Sequence, residues 1–65
     1  MSSAAARHAY TMWVIADVRY RTARADPRVA TARGEEKERW ANLLADLAKR
    51  RKDAWDVYTR ASSEL

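Results

Sequence analysis

This chain has no cysteine, no phenylalanine, and one each of glycine, proline and histidine in 65 residues. Each shortage closes off a chemistry. Without Cys there is no disulfide and no thiolate ligand, which fits a reducing compartment, and the expected location is the cytoplasm. One His and no Cys leave no donor set for a structural zinc. A lone Gly supplies no phosphate-cradling loop. Long hydrophobic runs are missing too. The longest, from Met12 to Ala16, falls far short of the ~20 residues a membrane span requires, and mean hydropathy is -0.68. No membrane association is expected. Residues 1 to 16 hold Arg7 and Ser but no acid. No cleavage pattern follows an apolar core there, so a transit peptide is not expected.

The catalytic inventory is equally thin. Nucleophilic catalysis needs a base beside a hydroxyl, and Thr11, three residues after His8, is the only candidate. A solvated His8 is the plainer reading. Asp46, Asp53 and Asp56 lie among Lys and Arg. They read as ion-pair partners, not as an acid/base pair or a metal cage. The chain is expected to be non-enzymatic and to use no cofactor.

What the sequence does contain is helix, and the fold class expected is all-α. In Trp40–Leu65, residues spaced alternately four and three apart are Trp40, Leu44, Leu47, Arg51, Ala54, Tyr58, Ala61 and Leu65. That is the seam of a helix packed lengthwise on others. Leu43, Ala48, Trp55 and Val57 widen it. The opposite face carries Asn42, Asp46, Lys49, Asp53, Asp56 and Arg60. Glu35 with Arg39, Asp46 with Arg50 and Asp56 with Arg60 stand in the favourable i, i+4 order. Upstream, Ser2 or Ser3 can cap a helix starting near Ala4. Its apolar residues from Ala9 to Tyr20 point in nearly every direction, the mark of a helix shared between interfaces.

Asp26 followed by Pro27 is a favoured N-cap and first helical position, so helix 1 is expected over about 4–25. A short helix or turn follows from Pro27; Gly34 either closes it, the favoured reading, or lies inside one long helix at a cost of about 1 kcal/mol, and helix 2 covers about 35–62. The connection 26–34 makes the two long helices an antiparallel hairpin. With the tip near residue 30, facing numbers sum to about 60. Tyr20 then meets Trp40, Trp13 meets Leu47, Tyr10 lies near Arg50 and Arg51, Arg24 lies beside Glu35 and Glu36, and Arg7 beside Asp53. In that register Asp17 and Arg51 are about eight residues, or ~12 Å, apart. Either they pair between subunits and set register, or Arg51 snorkels to water with Asp17 at the surface.

A chain of about 60 residues buries only roughly 60% of its unfolded surface. Self-association or a partner is the remaining route to stability, and a homodimeric four-helix bundle is the expected assembly. The functional expectation is a small adaptor, regulator or assembly component. Its interface residues are Trp13, Arg51, Trp55, Val57, Tyr58 and Leu65, since Trp and Tyr beside Arg anchor protein interfaces. Ala- and Arg-rich, Lys-poor usage resembles the coding bias of high-GC bacteria and their phages, so an accessory protein of that origin is expected. The rival reading is a nucleic-acid-binding hairpin, prompted by a net charge of +4. It uses Arg19, Arg21, Arg24, Arg28, Lys49, Arg50 and Lys52 on phosphates.

Overall fold

A computed structural model describes residues 4–63 of the chain. Those residues form three helices and no strand: α1 (Ala4–Arg24), α2 (Pro27–Thr31) and α3 (Glu35–Ser63). Leu65 and the serines Ser2 and Ser3, one of which is expected to cap the first helix, lie outside the described residues. The helix ends follow from local chemistry. Arg21 and Arg24 sit in the last turn of α1, and Glu35, Glu36 and Glu38 in the first turn of α3. Both placements complement the helix dipole.

Asp26 caps α2, and Pro27 follows at its first position. The Asp26 carboxylate accepts from the Arg28 guanidinium (2.7 Å from Nη2, 3.0 Å from Nε) and from the Arg28 backbone N–H at 2.9 Å. The guanidinium contact first, and the backbone bond second, hold its pKa down from 3.8 to about 2. A depressed carboxylate contributes fully above its unfolded pKa and is lost as pH falls through the folded value. The capping contribution is therefore complete above about pH 4 and disappears on acidification towards pH 2. The Asp26 carboxyl carbon, followed by NMR, should titrate near 2. A midpoint at the ordinary aspartate value would show that Arg28 does not hold it in solution.

α1 and α3 lie side by side and run in opposite directions. Tyr10 meets Tyr58, Trp13 meets Trp55, Asp17 meets Arg51, and the Arg28 guanidinium sits over Trp40. Each of these pairs adds to 68. The register expected from a tip at residue 30 is therefore wrong by eight. Trp13 does not face Leu47, Tyr10 does not face Arg50, and Tyr20 lies against Arg51 instead of Trp40. Neither Arg7 with Asp53 nor Arg24 with Glu35 or Glu36 forms an ion pair.

The physical reason is in the connection. Asp26-Pro27 interrupts the helix without reversing the chain, because Pro at a first helical position starts a new helix at once. From α2, Arg28 reaches the start of α3, its guanidinium 5.2 Å from the Trp40 ring. The reversal happens at Gly34, whose φ of +60° is the one left-handed backbone among the described residues. That conformation suits glycine because it has no Cβ.

The helices approach closely through small residues. Among the described residues Ala6, Ala9 and Ala32 are the buried apolar ones, and no large side chain is fully buried. From Trp40 to Ala61 the seam residues of α3 are half-buried against α1. Two expected surface pairs form, Glu35 with Arg39 at 3.7 Å and Asp46 with Arg50 at 2.9 Å. Arg60 instead donates to the backbone carbonyl of Asp56.

Candidate interaction surfaces

Two helices laid side by side leave a furrow on each side, and here the two furrows differ in chemistry. Along one, α1 contributes Met12, Ile15 and Ala16, and α3 contributes Leu47, Ala54 and Val57. The furrow continues past Val18 and Ala23 to Leu43 and Trp40. It is an aliphatic face. Met12, Val18 and Val57 on it stay 48%, 54% and 50% exposed. Its charges are balanced: Arg50 holds Asp46, Arg28 holds Asp26, and Arg19 and Asp53 line it without an ion pair among the described residues.

The other furrow is aromatic and basic. Tyr10, Trp13, Trp55 and Tyr58 form a ring ladder across the helix pair, with centroids 5.1 to 5.9 Å apart and planes inclined by 39° to 61°. Inclined rings at this spacing are favourable beyond the area they bury. Further along the same furrow lies Asp17, the one buried charge among the described residues. One oxygen takes Arg51 Nη1 at 3.3 Å and the other Arg21 Nε at 3.2 Å. The Arg51 guanidinium also lies 4.4 Å from the Tyr20 ring centroid.

The Asp17–Arg51 pair is thus made within one chain. Both sequence-based alternatives, an intersubunit pair and a snorkelling Arg51 with Asp17 at the surface, are corrected by this contact. They followed from the register error, because the true pairing brings residues 17 and 51 level.

Of the expected interface residues, Trp13, Arg51, Trp55 and Tyr58 gather on the aromatic side, whereas Val57 belongs to the aliphatic face. Leu65 lies outside the described residues. Sequence reasoning pooled two surfaces and missed Met12, Ile15, Val18 and Leu47 as members of one. Their signal was present: a helix 1 with apolar residues on most sides needs more cover than one neighbour gives.

The expected nucleic-acid residues are dispersed. Arg19 and Arg50 line the aliphatic face, Arg21 and Lys52 the aromatic one, and Arg28 sits over Trp40. Lys49 and Arg24 are exposed. Arg21, Arg28 and Arg50 each hold a carboxylate. The Thr11 hydroxyl donates to the Arg7 carbonyl at 3.1 Å, so it is committed to the backbone and does not face His8 as a nucleophile. Among the described residues no helix is long and apolar enough to cross a membrane.

Compared with family models, curated proteins and solved structures, the chain matches none.

Proposed function

We propose that this is a non-enzymatic helical interaction protein that works as a homodimer. In this reading the α1–α3 hairpin of one copy lies by its aliphatic face on the same face of another, making a four-helix bundle. One observation carries it. The chain exposes 5302 Å², whereas a compact monomer of 7.5 kDa exposes about 4,200 Å². The surplus of roughly 1,000 Å² is close to the ~800 Å² per partner that a stable interface covers.

The choice of face follows from charge. Two aromatic furrows brought together would oppose like charges, while the balanced aliphatic face is self-compatible. A two-fold pairing makes residue i of one copy meet j of the other, and j meet i. With the axis crossing the face near Ala16, Met12 and Val57 of one copy come level with Leu47 of the other. The same operation brings Arg19 level with Asp53 of the partner subunit. The two charges left over within one chain would then satisfy each other twice.

Sedimentation equilibrium of the purified chain should return twice the 7.5 kDa chain mass. The thermal midpoint should climb with protein concentration, as association demands. A chain-mass species with a concentration-independent melt would overturn the dimer.

A further inference from the structure

The aromatic furrow combines exposed rings with positive charge and almost no free acid. Arg7, Arg21, Arg51 and Lys52 line it, and its one carboxylate, Asp17, is engaged on both oxygens. Four cations against one acid leave it at three positive charges. Tyr10 and Trp55 remain 49% and 43% exposed although each packs on other rings. We propose that this furrow is the docking site for an acidic amphipathic helix of another protein.

The occupant follows from shape and charge. A furrow between two antiparallel helices accepts the side-chain ridge of a third helix. An extended peptide would need backbone partners from an open sheet edge, and helices spend theirs internally. A nucleic acid needs open ring faces for stacking and a run of free cations for phosphates. Here the rings lean on one another, and Asp17 occupies two of the three arginines. A second copy would bring the same excess of positive charge. An acidic helix instead meets Arg7 and Lys52 with its flanking carboxylates and sets apolar side chains among Tyr10, Trp13, Trp55 and Tyr58. Aromatic anchors with Arg nearby are where binding energy concentrates. From Arg7 to Arg21 the furrow runs about 21 Å along α1, the length of about 14 helical residues. This site lies across the molecule from the aliphatic face and does not depend on the dimer.

The test titrates the full chain into a fluorescein-labelled synthetic helix of about 18 residues, with Leu at i, i+3, i+4 and i+7 and Glu on the flanks. A scrambled peptide of the same composition and a labelled oligo(dT) run in parallel. The helix should bind saturably, roughly tenfold or more tighter than the scramble, with a blue shift of tryptophan emission. Trp55→Ala and Lys52→Glu should each weaken binding by about tenfold, and Lys52→Glu should leave the circular dichroism unchanged. Lys52 is exposed and makes no ion pair among the described residues, so its replacement reports on binding independently of folding. Equal binding of the scramble would reduce the furrow to a bare charge effect and overturn the proposal. Tighter binding of oligo(dT), or no binding at all, would overturn it as well.

Discussion

Met12→Glu combined with Val57→Glu should convert the protein from dimer to monomer. Both side chains are about half exposed in the single chain, so a carboxylate at either position meets water there and leaves the α1–α3 packing undisturbed. In the paired state both carboxylates would lose water, the Val57→Glu one against Leu47 of the other copy. An unpaired charge taken out of water costs several kcal/mol. About 3 kcal/mol already weakens association more than 100-fold. Sedimentation equilibrium reads the mass directly. The thermal midpoint should fall with it, because the buried apolar residues of a single copy, among those described, are three alanines. Lys52→Glu, on the opposite side, should leave the mass unchanged. A double variant that keeps the wild-type mass would exclude the aliphatic face as the site of pairing.

Trp13→Ala should be the most destabilising change within the helix pair. Trp13 contacts Tyr10 on its own helix and Trp55 across the pair, at 5.9 and 5.1 Å. Truncating a packed aromatic costs about 3–5 kcal/mol when fully buried. Trp13 is half-buried, so a loss of about 2–3 kcal/mol is expected. Asp17→Ala should cost less, although its carboxylate holds two arginines. The Arg21 side chain is 75% exposed and that of Arg51 38%, and solvent screening of such pairs leaves about 1 kcal/mol. Urea unfolding of the two variants side by side checks the order. If Asp17→Ala proved the worse, the ion pair, and not the ring ladder, would set the register.

The particular residues that were legible in the sequence, and those that were not, divide along one line. Local chemistry was readable. Asp26 before Pro27 and the isolated Gly34 mark where helices stop, and the seam from Trp40 to Ala61 names the side of α3 that meets α1. These signals act within one or two turns. What the chain does across the helix pair was not readable, because it depends on which break turns the chain around. Pro27 is the more conspicuous mark, yet Gly34 performs the reversal. The consequence is an eight-residue offset, which separated Asp17 from Arg51 on paper and hid the Trp13–Trp55 contact.

Face assignment suffered for a related reason. Val57 and Trp55 are two residues apart, both exposed, and in the sequence both widen a single seam. Their side chains in fact leave the helix on opposite sides of the line of contact with α1. Only a correct register reveals that one belongs with Met12 and the other with Trp13.

Shape carries a practical consequence. The chain extends 50 Å in one direction against 15 and 11 Å in the others, with a radius of gyration of 15.0 Å. A compact chain of this length would measure about 11 Å. So slender a particle drags more solvent than a sphere of equal mass and leaves a size-exclusion column early. A single copy would therefore elute like a heavier globular protein. A second copy laid alongside thickens the particle without lengthening it much, so its frictional coefficient rises by less than the doubled mass implies.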